Sequence, residues 1–471
     1  MHIEQIYTGC LAQGAYYIES KGEVAIIDPL REVHPYIEKA KSNQAEIKYI
    51  FETHFHADFV SGHLSLSKET NAPIIYGPNA NPSFDAQIAK DQQEYKLGDI
   101  TIVALHTPGH TMESTTYLLR DENGKDHAIF SGDTLFLGDV GRPDLAQKAE
   151  HITQEQLAET LYDSLRNKIM PLSDDVIVYP GHGAGSACGK NMMKETVDTL
   201  GNQKKMNYAL RADMSKEEFV KEVTDGLMPP PQYFPLNVKL NKEGYDDVKD
   251  VIKRGSVGLT PSKFEELANN SGAIILDVRH QSEFVKGHIP RSIFIGLDGS
   301  FAPWVGSLIA DVQQPILLVT PEGREEETIT RLARVGFDQV LGYLKGSFEA
   351  WKSDSKEYDN VSTISADELK SLMQKEEIEI FDVRKESEHF AQHALNSSNT
   401  PLDFINSFLK EFPEEGVFYM HCAGGYRSVI AASILKSRGI HNGIDILGGF
   451  KAMQESGVDI SAYQCPSTMT A

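Results

Sequence analysis

One stretch of this chain is written twice. Ile274-Ile275-Leu276-Asp277-Val278-Arg279 returns as Ile378-Glu379-Ile380-Phe381-Asp382-Val383-Arg384, with the two aspartates 105 residues apart. Each copy continues with an acidic residue and an aromatic (Glu283-Phe284; Glu388-His389-Phe390) and closes on a glycine turn that opens a helix (Gly346-Ser347-Phe348; Gly449-Phe450). A repeat of this period is long enough for one small α/β domain, so the C-terminal half reads as a duplicated domain, over 255–357 and 361–471. The whole chain, at 471 residues, is too long for a single core, and what precedes the repeat must fold on its own.

That first part, 1–240, alternates strand-like runs with turns in an α+β layout. Gly22–Pro29, Lys48–Thr53, Ile100–Leu105 and Ala128–Phe130 read as strands that deliver polar loops. From about 226 to 258 the text changes: Met228-Pro229-Pro230-Pro231-Gln232-Tyr233-Phe234-Pro235 cannot continue a helix or a central strand, and reads as a semi-rigid strap between domains.

Four loops of the first part carry imidazoles or carboxylates at strand ends, three of them beside Gly or Pro: His54-Phe55-His56-Ala57-Asp58, Pro108-Gly109-His110, Ser131-Gly132-Asp133 and Pro180-Gly181-His182. A single such histidine is usually a surface or satisfied core residue. Four in this order point instead to ligands converging on a metal. In this order the loops resemble the motifs of the metallo-β-lactamase superfamily, which implies an αββα sandwich. That superfamily commonly holds two metals through HxHxDH, but the last His is here Phe59, whose ring cannot donate to a metal; one ion is expected. Phe130 to Asp144, reading FSGDTLFLGDVGRPD, is very similar to the persulfide dioxygenase branch. The resemblance implies that His54, His110 and Asp133 bind one Fe(II), with zinc the alternative. Two imidazoles and a carboxylate also suit non-haem iron with positions open to O2. His56, Asp58 and His182 would orient ligands, waters or substrate. Arg142 would either attract an anionic substrate or pair with Asp139 or Asp144. Single-domain members of the branch usually keep the histidine that is Phe59 here.

The second copy of the repeat has its own chemistry. The strand Val417–His421 delivers Cys422-Ala423-Gly424-Gly425-Tyr426-Arg427-Ser428, and Val429–Leu435 follows as a helix. A strand, a glycine loop and a helix N-terminus form a nest of amides that favours a thiolate. The C-x-x-x-x-R loop resembles the rhodanese family; related phosphatases carry one residue more, so the short loop favours sulfur over phosphate. The resemblance implies that Cys422 carries a sulfane sulfur, that Ala423, Gly424, Gly425, Tyr426 and Ser428 surround its charge, and that Arg427 assists. Asp382 and Arg384 read as braces of the fold. The first copy has Thr320-Pro321-Glu322-Gly323-Arg324-Glu325-Glu326-Glu327 at this place, with no cysteine and with glutamates that repel anions, so it is expected to be silent, a spacer or docking surface.

The three modules together are similar to persulfide dioxygenase–rhodanese fusions. This implies oxidation of a small-molecule persulfide by O2 to sulfite, coupled through Cys422 to thiosulfate formation or persulfide supply, in sulfide detoxification. Sulfur can run in either direction on this reading. The rivals are a two-metal thioester hydrolase of the glyoxalase II type and a non-enzymatic sulfur sensor with a structural metal. A net charge of -23 excludes nucleic acid as an expected partner, and no run of about 20 apolar residues spans a membrane. Four cysteines without framework spacing and a polar N-terminus suggest a cytoplasmic chain. Cys188 reads as a loop thiol before a sulfur relay at the metal pocket, and Cys10 and Cys465 as incidental. A dimer or tetramer is expected from the family.

Overall fold

The computed structural model describes residues 1–145 and 152–465. The chain forms two compact units, Met1–Asp250 with Ala333–Gly336, and Val251–Leu332 with the residues from Phe337 onward.

The first unit is built on two six-stranded sheets. One runs in chain order through His2–Thr8, Gln13–Ser20, Glu23–Ile27, Glu46–Phe51, Ile74–Tyr76 and Gln87–Ile88. The other orders Asp198–Thr199, Ile177–Pro180, Asp126–Gly132, Thr115–Arg120, Ile100–His106 and Glu94–Leu97. Strand alternation assembles the layers. Tyr16 and Ile18 face the space between the sheets with Ile100, Ile102 and Ala104 of the opposite sheet. Ala15 and Tyr17 point the other way, toward the helix His34–Ser42. Val103 and Leu105 point outward to the helices Gln154–Ser164 and Lys216–Thr224. A period of two thus buries both faces of each sheet, giving the αββα sandwich.

The stretch read as a strap is regular in part. Helices occupy Phe234–Glu243 and Val248–Gly255. Pro235 sits in the first turn, where a missing N–H removes no hydrogen bond, so the proline that argued against a helix begins one.

The second unit contains two five-stranded parallel sheets of one topology. The first orders Gly258–Leu259, Val340–Leu344, Ile316–Val319, Ile274–Asp277 and Ile293–Phe294; the second orders Thr363–Ile364, Gly443–Ile446, Phe418–His421, Glu379–Asp382 and Ser397–Asn399. The repeated Asp-Val-Arg is explained by one construction made twice. Arg279 Nε and Nη2 donate to Asp277, Nη2 also donates to the Gly287 carbonyl, and the guanidinium lies 4.4 Å from the Phe348 ring centre. Arg384 does the same with Asp382, the Gln392 carbonyl and Phe450, at 4.0 Å. Burial opposes the Asp382 charge, but His389 and Arg384 hold its carboxyl well below the ordinary value. Its contribution to stability is therefore present above the ordinary carboxylate range and lost only as pH falls through that lowered value. Arg384→Ala, which strands a buried carboxylate, is expected to destabilise this domain by about 3–5 kcal/mol. Urea unfolding measures this, and a loss below about 1 kcal/mol contradicts the brace. Among the described residues, no helix is long and apolar enough to cross a membrane.

Candidate metal centre and cysteine loop

The metal-site residues of the first unit all leave the same ends of their strands. His54, His56 and Asp58 follow Glu46–Phe51, His110 follows Ile100–His106, Asp133 follows Asp126–Gly132 and His182 follows Ile177–Pro180. Fold and sequence place them together: the ligand atoms of His54, His110 and Asp133 lie within 4.8 Å of one another, all buried. His110 Nε2 is 3.5 Å and His54 Nε2 3.9 Å from Asp133 Oδ2. Both Asp133 oxygens are buried with no hydrogen-bond partner, an arrangement that costs free energy unless a cation lies between them and the imidazoles. The opposite ring nitrogens are already engaged: His54 Nδ1 is 3.0 Å from Thr53 Oγ1, and His110 Nδ1 is 2.9 Å from the Arg142 carbonyl. This leaves each Nε2 to face inward as the ligating atom. Burial, then the neighbouring His56, His110 and His182, hold the His54 imidazole well below its ordinary pKa and so neutral. Backbone must pass close by: a Cβ on Gly181 would stand 2.6 Å from Asp133 Oδ1, and one on Gly141 2.9 Å from His110 Nδ1.

A second buried cluster joins His56, Asp58 and His182. His182 Nε2 is 3.4 Å from Asp58 Oδ2 and 3.6 Å from Asp133 Oδ1. Burial opposes the His182 charge, but Asp58 and Asp133 override it and raise its pKa well above the ordinary value. His56 also belongs to a cluster with Asp28 and Glu52. Its Nε2 lies 3.1 Å from Asp28 Oδ1 and 3.4 Å from Glu52 Oε2, and these acids outweigh burial to raise it to about 10. Phe59, fully buried, packs its ring against His56 at 4.3 Å.

Several residues here were not read from sequence. Asp28 and Glu52 each follow directly on a strand that looks like an ordinary hydrophobic run. Asn241, from the helix in the strap, donates to the carbonyls of His56 and Phe59 and accepts from Ser61 N–H, which pins the ligand loop. Tyr233 is buried close enough to Asp58 and Cys188 for both to bear on its ionisation. Cys188 belongs to the pocket and is not a plain loop thiol: its sulfur clusters with Asp133 and His182. Burial, then Asp58 and Asp133, push that thiol up to about 12. Arg142 is ion-paired: Nε and Nη2 bind Asp144 at 2.6 and 2.7 Å, while its carbonyl orients His110. Asp139 instead caps the backbone amides of Lys190 and Asn191.

In the second unit, Cys422 ends the strand Phe418–His421 and is buried, with the helix Tyr426–Ser437 beginning above it. Gly425 N–H donates to Sγ at 3.1 Å and Ser428 Oγ at 3.6 Å. Of the expected loop amides, the one of Gly425 reaches the sulfur. Its φ of +102° is a conformation that glycine adopts freely. The glycine before Phe450 is explained in this copy: Phe450 N–H donates to the Cys422 carbonyl at 2.7 Å, and a Cβ on Gly449 would stand 2.4 Å from that oxygen. Arg427 is held by Glu388 in a two-point ion pair at 2.5 and 2.8 Å. Tyr426 reaches out of the loop, its hydroxyl donating to the Gly296 carbonyl of the cysteine-less copy. There, Val319 pairs with Asp277 as His421 pairs with Asp382, so Thr320 occupies the position of Cys422. Arg324 of that copy is tied to Glu327 and Asp298.

Residues 8–182 match the metallo-beta-lactamase superfamily, and residues 260–354 and 365–456 match the rhodanese-like domain. A probable hydroxyacylglutathione hydrolase of Schizosaccharomyces pombe is 32% identical over 35% of this chain and 60% of its own length. The mitochondrial persulfide dioxygenase of Homo sapiens is 28% identical over 46% of this chain and 78% of its own. The chain spans 60%, 65% and 58% of three hydroxyacylglutathione hydrolases that it matches at 32% identity. A crystal structure of a metallo-beta-lactamase from Staphylococcus aureus is 29% identical, covers 73% of this chain and 98% of its own, and superposes with a TM-score of 0.64. The fold implies a divalent metal, iron or zinc, and the buried clusters are suited to hold it. A metallo-beta-lactamase-superfamily domain followed by two rhodanese-like domains is therefore the family make-up of this chain.

Proposed function

We propose that this chain is a persulfide dioxygenase that oxidises the terminal sulfur of a small thiol persulfide to sulfite, with Cys422 carrying sulfane sulfur in the same chain. The observation that carries the reading is the three-residue set His54, His110 and Asp133 beside a second cluster whose missing histidine is Phe59. Fe(II) held by that set would supply open positions at which O2 and a thiolate sulfur can meet. The side chains do the rest. Thr53 and the Arg142 carbonyl fix the two ligating imidazoles, Asp133 offers two unpartnered oxygens, and Phe59 with Tyr233 lines the surroundings with aromatic rings. Asp58 and His182 form a paired acid and imidazole, able to hold a proton next to the reacting sulfur. The balance is RSSH + O2 + H2O → RSH + SO3²⁻ + 2H⁺, in which the sulfane sulfur gives up the electrons that O2 takes. In the cysteine loop, Cys–S–S⁻ + SO3²⁻ → Cys–S⁻ + S2O3²⁻ breaks one S–S bond and makes another, while Gly425 and Ser428 stabilise the returning thiolate.

Thioester hydrolysis with two metals is the second reading, favoured by the hydroxyacylglutathione hydrolases among the relatives. The iron-loaded chain given glutathione persulfide and S-lactoylglutathione in parallel separates the two. Oxygen uptake with the first and no thiol release from the second is expected; the reverse overturns the proposal. Phe59→His restores the absent imidazole beside Asp58 and His182, and is expected to raise bound zinc from one ion toward two per chain by elemental analysis. An unchanged count shows that Phe59 is not what limits the site to one.

A further inference from the structure

Behind Cys422 lies a buried carboxyl that the sulfur chemistry above does not use. Asp445, on the strand Gly443–Ile446, is 2% exposed, and its Oδ1 has no hydrogen-bond partner. The hydroxyl of Ser428, itself fully buried, is close enough to bear on the ionisation of that carboxyl and lies 3.6 Å from Cys422 Sγ. A hydroxyl has one proton to give and two neighbours here that want it, a carboxylate on one side and a sulfur anion on the other.

We propose that Asp445, acting through Ser428, is a positioning residue for the sulfur of Cys422, its protonated form directing the Ser428 hydroxyl onto the sulfur anion. When Asp445 carries a proton, it donates to Ser428 Oγ and Ser428 donates to Sγ, so the three groups form one directed chain. When Asp445 is ionised, it takes the Ser428 proton for itself. The sulfur then loses a buried donor and gains a nearby negative charge, and both changes disfavour the thiolate. Burial pushes the Asp445 carboxyl up to about 7, opposed by the hydrogen bond from Ser428, so both forms are populated near neutrality.

The surroundings keep this switch simple. Met420 and Thr363 are its register partners on the flanking strands, and neither titrates. Arg427 is closed on Glu388, and Arg384 on Asp382 with His389 beside it. Burial holds His421 below its ordinary value, so it titrates on the acid side.

The inference rests on Cys422 as a sulfur carrier, but its test does not need sulfur transfer to occur. Two readouts use the full chain: the rate of iodoacetamide alkylation of Cys422, with Cys422→Ser as the blank for the other thiols, and sulfur transfer from thiosulfate to cyanide, each against pH. In the wild type, transfer is expected to fall as pH rises through about 7. Alkylation rises as the thiolate forms, and is expected to bend in the same interval. Asp445→Asn keeps a permanent donor toward Ser428 and loses that inflection in both profiles. Ser428→Ala cuts the connection, lowers the rate severalfold and also loses it, which covers the case in which Asp445→Asn fails to fold. An inflection near 7 that persists in either folded variant, or its absence from the wild type, overturns the proposal. A chain that transfers no sulfur yet shows the alkylation inflection keeps the relay and refutes only the carrier role.

Discussion

Asp133→Asn is expected to lower metal affinity at least ~100-fold and to remove oxygen uptake with a persulfide. The size follows from what Asp133 does. Its two oxygens are buried and unpartnered, one facing His54 and His110 and the other His182, so it is the one anion shared by the candidate ligands. An amide keeps the shape but removes the charge and replaces one of the two acceptor oxygens with an N–H donor, which cannot bind a cation. The cost therefore falls on cation binding and not on packing. Elemental analysis after dialysis against a chelator, with an oxygen electrode on the same sample, checks both halves. Retention of metal and uptake by Asp133→Asn would place the ion elsewhere.

Cys422→Ser is expected to reduce sulfur transfer from thiosulfate by about 10³-fold or more, because the nucleophile is removed and no other thiol sits in the loop. A serine hydroxyl is far less acidic than a thiol and cannot carry a sulfane sulfur. Oxygen uptake with free glutathione persulfide continues in this variant, since that substrate needs no carrier to reach the His54–His110–Asp133 centre. Uptake fuelled by thiosulfate, if the wild type shows it, disappears. Cyanide-trapped thiocyanate measures the first quantity and the oxygen electrode the second. Undiminished thiocyanate formation would show that Cys422 is not the carrier.

How much of this was legible in the sequence depended on whether a residue's role shows in its neighbours along the chain. The Asp-Val-Arg repeat was readable because its brace is local: Asp277 and Arg279 are two residues apart, and the partner Phe348 is announced by a glycine turn. The ligand loops were readable because each follows an apolar run directly, and in three of them the imidazole or carboxylate stands beside Gly or Pro. Contacts between distant segments left no such trace. Glu52 and Asp28 follow the ends of separate strands and meet at His56 only when Glu23–Ile27 pairs with Glu46–Phe51. Asn241 grips a loop more than 180 residues earlier, from a helix that the prolines at 229–231 and 235 disguised. Sequence draws attention to the guanidinium of Arg142, whereas the atom that bears on His110 is its carbonyl, present in every residue. The residues before Cys188, Gly185-Ser186-Ala187, look like a plain loop, though the fold buries the thiol against Asp133 and His182.

The most direct test is to titrate the iron-loaded full chain with glutathione persulfide in an oxygen electrode, counting iron, sulfite and thiosulfate in the same sample. A single iron per chain, with O2 consumed in an amount equal to the sulfite and thiosulfate formed together, is the predicted result. A protein that binds a zinc pair, leaves oxygen untouched and cleaves S-lactoylglutathione would contradict it.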